Sequence, residues 1–429
     1  MQQVISINPD LVLPPPDKLK RNYLFWLGII VYSAAFTFSY VGILSDNVWN
    51  PIQAIGLLLC IPAAAKFFRF KIDNAYLRFV FTLYCLWVIF ILARGFSVNY
   101  KFLKLMLFDG WTGVFLYFVP LMLFFPKSVY YLPHLFKAIV ILGIIYLLYD
   151  AMFLKTLLDN DADNLTGKAL TEYFSKTLAV PCGFLLLTYV YHNYKVRIFA
   201  FGVLIITLML GLIRARRGLI FMSACPLLIS YIIFICFNLK KFSVIFLSLI
   251  LISILSVYGV KVYNKNKEGM FSLITERADA DTRTDVESCF YEDMKPKDWL
   301  IGRGIAGEYY CPGTENDELL LFRSQIETDY LNIILKGGII GLALLILMAV
   351  PAIIKGLFFS KNLLSKASAI WILLWLLDLY PSTVTTFTLN YILVWIAIGI
   401  CYTKSIRNMS EDAIRQILSP GSEAVTVIV

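Results

Sequence analysis

The chain has 429 residues, of which 59% are hydrophobic and only 16% charged, with a formal net charge of +9 and a mean hydropathy of +0.74. These values exclude a soluble globular domain as a reading of the whole chain. The basic excess is dispersed over short connections and forms no stripe, which argues against nucleic acid as a partner.

Apolar runs of membrane-spanning length recur from Tyr23 to Tyr402, too many for one anchor or a signal peptide. They predict an all-α, polytopic integral membrane protein with about twelve transmembrane helices and one large polar loop. Residues 1–22, with Pro14-Pro15-Pro16 and then Lys18, Lys20 and Arg21, read as an N-terminal tail. Residues 23–260 hold nine predicted crossings, at 23–43, 51–68, 77–95, 103–125, 131–154, 175–192, 197–214, 217–238 and 242–260. Residues 261–329 are the only long polar interval. Three more crossings follow within 330–403, at 330–355, 366–380 and 386–403, before a C-terminal tail at 404–429.

Alternate connections collect the lysines and arginines, from Lys18, Lys20 and Arg21 to Lys404 and Arg407, and the basic side is the cytoplasmic one. Both tails are then inside and the long loop outside, which in a bacterial inner membrane means the periplasm. Six of the eight cysteines lie in apolar runs, where the thiol is a small packing group. Cys289 and Cys311 share the loop. An oxidising compartment would permit a disulfide there, although nearness in sequence does not decide whether the two meet.

Some basic residues break the charge rule. Arg94, Lys101 and Lys104 flank the outer side, and Arg214, Arg216 and Arg217 crowd one outer turn. Such charges can pair with loop acids or snorkel, but three arginines in four residues repel unless a polyanion sits against them. The only histidines, His134 and His192, fall at predicted cytoplasmic helix ends, so an outer site has no imidazole and its base has to be a carboxylate, a lysine or a tyrosine. No motif for nucleotide hydrolysis or for zinc occurs, and neither a metal nor a cofactor is expected. Arginines and a carboxylate beside a membrane suit transfer from a lipid-linked diphosphate, because guanidinium groups grip phosphate oxygens and neutralise a leaving diphosphate.

Three local features carry a resemblance. Arg217-Gly218 opens a crossing; Arg283 is followed by Trp299 and Gly302-Arg303-Gly304; and Glu327-Thr328-Asp329-Tyr330-Leu331 precedes Gly337-Gly338. In these motifs, and in helix number and loop position, the chain resembles the O-antigen polymerase and O-antigen ligase superfamily of membrane glycan transferases. The motifs span about 120 residues, 213–341. The resemblance implies a GT-C-like membrane fold and a metal-independent, inverting transfer of a glycan from undecaprenyl diphosphate. It also implies a lipid-linked oligosaccharide donor and acceptor, the bilayer itself, a chain-length regulator and a flippase as partners. Glu327 stands where the ligases carry a histidine, which favours the polymerase branch over an O-antigen ligase or a protein O-oligosaccharyltransferase. A flippase or transporter is the reading from another class, weakened by the scarcity of acids at mid-helix.

The expected roles are Glu327 as base, with Arg217 and Arg283 as catalytic diphosphate clamps and Arg214, Arg216 and Arg303 as accessory ligands. Asp329 is the competing base, and Tyr330 and Trp299 are secondary candidates. Structural pairing with loop acids is the alternative for each arginine, and helix capping is the alternative for Glu327.

Overall fold

The computed structural model describes residues 14–39, 45–158, 165–237, 282–312 and 321–418, with isolated helical positions between 245 and 265. The described residues are 79% helical, and among them the only sheet is the antiparallel pair Tyr309–Tyr310 and Phe322–Arg323. Two compact units divide it. The first comprises Met1–Ser39, Ile43–Ile139 and Thr282–Val429, and the second Tyr40–Gly42 and Val140–Asp281.

Among the described residues, seven helices are long and apolar enough to cross a membrane: Pro16–Ser39, Asn47–Phe67, Ala75–Ala93, Val129–Met152, Tyr194–Ile213, Arg217–Cys236 and Asp329–Phe358. Each matches a crossing expected from the sequence. Four of the other five expected crossings are not long continuous helices. The run at 103–125 breaks into Tyr100–Phe108 and a tight helix Val114–Phe124, because Asp109 between them turns its carboxylate onto the N–H groups of Trp111 and Thr112 at 2.6 and 3.0 Å. The run at 175–192 becomes a π-turn at Ser175–Ala179, the short helix Cys182–Leu187 and a tight turn at Tyr189–Tyr191. Leu363–Asp378 and Leu389–Tyr402 are single helices of 16 and 14 residues. Most of 242–260 lies outside the described residues.

The long helix Asp329–Phe358 is interrupted at Gly338, whose φ of 66° and ψ of −178° are not helical. A break at that point frees the carbonyls of the preceding turn, which need donors once buried. The Gly302-Arg303-Gly304 turn supplies them. Arg303 N–H donates to the Leu335 carbonyl at 2.7 Å and Gly304 N–H to that of Lys336 at 3.0 Å, while the Trp87 indole takes the Gly337 carbonyl at 2.7 Å. Ile305 N–H continues onto the carbonyls of Ile91 and Arg94 at 3.1 Å each, and the Arg94 guanidinium returns a bond to the Ile301 carbonyl at 3.0 Å. Arg94, an exception to the charge rule, therefore acts as a clasp between a spanning helix and the polar segment.

Two glycines make this junction possible. Gly338 and Gly304 have φ of 66° and 82°, and a Cβ on them would run into the carbonyls of Leu300 and Arg94 respectively. Backbone strain and backbone collision act together there. Gly304→Ala and Gly338→Ala should each cost about 3 kcal/mol, measured as a loss of thermal stability of the purified protein. Gly202, with open space around it, is the control, since alanine there should be neutral or slightly stabilising.

Candidate functional site

Past the Gly-Arg-Gly turn the polar segment builds a small cap in the first unit. Helices Thr282–Asp293 and Pro296–Ile301 and the two short strands enclose Phe290, Met294, Tyr309, Cys311 and Ile326. That cluster packs on Leu331, Ile334 and Leu335 at the head of the long helix. Cys289 and Cys311 are joined in a disulfide with their Cα atoms 5.2 Å apart. The pair left open by the sequence thus ties the first cap helix to the strand hairpin.

Arg303 holds the cap from within. Its Nε donates to Asp298 at 3.0 Å, Nη1 to the Asp293 carboxylate and to the Glu308 carbonyl at 2.7 Å, and Nη2 to the Asp293 carbonyl at 2.6 Å. A guanidinium so committed acts as a brace, the structural alternative foreseen for it. Burial opposes the Asp293 anion slightly, but the hydrogen bond from Arg303, with the Tyr310 N–H and the charge of Arg303, holds that carboxyl below the usual range. A carboxyl with a depressed folded pKa lends stability above its unfolded value and loses it as pH falls through the folded one. The protection of the cap amides, taken relative to their intrinsic exchange rates, should therefore be level from pH 7 to 5 and fall below about pH 4. Asp293→Asn should remove that acid limb and raise exchange at neutral pH.

The head of the long helix is fixed from three sides. The amides of Asp329 and Tyr330 donate to the Leu379 carbonyl at 2.8 and 3.3 Å, covering N–H groups that a helix start leaves over. Asn332 clasps the backbone of Ile326 through both ends of its amide, at 2.7 and 2.6 Å. The Asp329 carboxylate, 1% exposed, accepts the N–H groups of Val384 and Thr385 at 3.0 and 2.7 Å. Thr328 occupies the cap position, not Glu327, and its hydroxyl donates to Glu287 of the first cap helix.

A pocket of about 760 Å³, partly open to solvent, lies against this head. Its walls carry the rings of Tyr84, Trp111, Tyr117 and Tyr391, and its polar groups include Gln325, Asp329, Asn332 and Lys336. Lys336 reaches the Gly307 carbonyl with its ammonium at 2.7 Å. An aromatic cleft with a few converging polar groups is the form expected of a small-ligand site. Sequence reading missed Lys336 and the tyrosines as site residues because each sits in an apolar run, where only the fold shows which of them share a wall.

Of the residues expected to act, Glu327 is exposed at the helix entrance, Asp329 lines the pocket, and Tyr330 is half-buried. Trp299 packs against the cap core. Arg283 belongs to the helix Thr282–Asp293, and its side chain is outside the described ones.

Arg214, Arg216 and Arg217 belong to the second unit. The three clustered arginines differ in setting. Ala215 between them has φ of 51°. Arg214 is fully buried and donates to the carbonyls of Thr156 and Leu157 at 2.6 and 3.0 Å, Arg216 pairs with Glu172 at 3.3 Å, and only Arg217 is exposed. Among the described residues no group of three or more potential metal ligands occurs. No family model, curated protein or solved structure matches the chain.

Proposed function

We propose that the chain is a glycosyltransferase of the bacterial inner membrane that polymerises lipid-linked repeat units at the periplasmic face, with both termini in the cytoplasm. What supports the reading is the cystine-tied cap seated on the head of a long apolar helix, beside a pocket walled by aromatic rings and lined by the carboxylate of Asp329. Two of the three motifs that resemble the O-antigen polymerases fall at this head and in this cap, and the third, Arg217-Gly218, belongs to the second unit.

In the proposed reaction an acceptor sugar hydroxyl attacks the anomeric carbon of the donor glycan. The C–O bond to the diphosphate breaks, undecaprenyl diphosphate leaves with the electron pair, and the carboxylate of Glu327 takes the hydroxyl proton. Direct displacement inverts the anomeric centre. Asp329 serves as positioner, because its lone pairs already hold two backbone amides. The assignment of Arg217 and Arg283 to donor phosphates carries over as a proposal for each residue taken singly, while Arg303 and Arg214 are reserved for structure.

The deciding experiment supplies the purified protein with lipid-linked repeat units alone, in detergent and with chelator present. A ladder of longer lipid-linked glycans is expected. Transfer only after addition of a lipid A core or an acceptor protein would reassign the chain to a ligase or a protein-glycosylating enzyme.

A further inference from the structure

The pocket leaves unexplained a run of aromatic rings over the cap and the helix head. Tyr291 and Trp299 are nearly parallel, 5° apart with centroids separated by 5.9 Å. Tyr330 and Tyr380 repeat the arrangement at 8° and 6.4 Å. Tyr291 also acts electrostatically on Tyr330, which brings the two pairs side by side. At an ordinary stacking separation, such centroid distances mean rings slipped by roughly 5 Å, which leaves part of each face open. Tyr291 and Tyr380 are 46% and 66% exposed. The track is also stiff, since Trp299 is backed edge-on by the buried Phe290 at 5.6 Å.

Open aromatic faces invite three occupants, a lipid interface, a nucleobase or a sugar ring. Membrane-interface aromatics sit at the ends of apolar helices, but Tyr291 and Trp299 are on cap helices, the first of which carries Asp285, Glu287, Glu292 and Asp293. Glu287 acts electrostatically on Tyr330, and Glu327 is exposed beside that ring in the chain. These carboxylates disfavour phosphate-bearing ligands and polyanions. What remains is a ligand with apolar C–H faces and hydroxyl edges, an uncharged carbohydrate.

We infer that Trp299, Tyr291, Tyr330 and Tyr380 form a track that holds an uncharged oligosaccharide across several sugar rings, outside the pocket. This names a substrate class and rests on the proposed function only for its purpose, since the binding can be measured without any transfer. The probes are maltoheptaose and chitohexaose, with hexagalacturonate as the acidic counterpart, titrated against the purified protein in detergent. The readout is the tryptophan fluorescence change that Trp299→Phe removes, supported by saturation-transfer NMR.

At least one uncharged probe is expected to bind at least tenfold more tightly than hexagalacturonate. Tyr291→Ser and Tyr380→Ser, both at exposed positions, should each weaken that binding about fivefold to tenfold, and Gly202→Ala, in open space in the second unit, should leave it unchanged. The inference is overturned if neither uncharged probe binds, if hexagalacturonate binds as well, or if the double serine variant binds like the parent. It is also overturned if the serine variants lose association with phosphatidylethanolamine–phosphatidylglycerol vesicles while sugar binding persists, which would make the track a membrane anchor. Binding without a glycan ladder would sink the polymerase reading alone, and a ladder without binding would sink the track alone.

Discussion

Glu327→Gln is expected to abolish the glycan ladder, lowering transfer by about a thousandfold, while leaving the thermal stability of the protein unchanged. General-base catalysis is worth about 10² to 10⁴ in rate, and an amide cannot accept the proton. The second half of the prediction comes from geometry. Glu327 is exposed, is not the cap of the long helix, and offers its backbone carbonyl, which the substitution retains, to Thr383 at 3.4 Å. Single-turnover rates with lipid-linked repeat units, set beside melting curves, test both halves together. A Glu327→Gln enzyme with parental rates would remove the base from this position.

Asp329→Ala should have the opposite signature, a protein that loses stability whether or not it is assayed. The carboxylate is buried, and its removal leaves the amides of Val384 and Thr385 without an acceptor in a closed setting. Each buried donor left unpaired costs about 1 to 3 kcal/mol, so a loss of about 3 to 5 kcal/mol is expected. Asp329→Asn keeps one acceptor oxygen and should recover part of it. Stability measured for both variants, with protease sensitivity of the 380–388 segment, distinguishes an anchor from a base. A fully stable Asp329→Ala protein without activity would exchange the roles of the two acids. The paired variants matter because two carboxyls, two residues apart, differ so sharply in environment.

Much of the architecture was legible in the residues. Apolar runs of spanning length marked all seven long helices, since a stretch such as Tyr194–Ile213 has no other way to satisfy its backbone in an apolar medium. The polar interval was equally plain, and its two cysteines were rightly noticed. What one-dimensional hydropathy could not register was interruption. Asp109 looks like one acid in an apolar run, but its short side chain competes for backbone amides and ends the helix.

The fate of each arginine was decided by tertiary structure alone. Arg214 and Arg303 read in sequence as accessory phosphate ligands and Arg94 as a charge to be paired or snorkelled; Arg94 and Arg214 hold carbonyls of remote segments, and Arg303 holds carboxylates of its own cap. A guanidinium carries five donors, and only the fold determines which acceptors come within reach. The same holds for the Gly-Arg-Gly turn, recognisable in the sequence as a turn. That it inserts into the break at Gly338 depends on two glycines 34 residues apart in sequence, Gly304 and Gly338, adopting left-handed conformations at one point in space. By itself the sequence determined that the chain is helical and suited to a membrane, because hydrophobicity is a property of each residue. Which side chains meet at the head of the long helix was left to the packing, because contact belongs to pairs of residues brought together only by the fold.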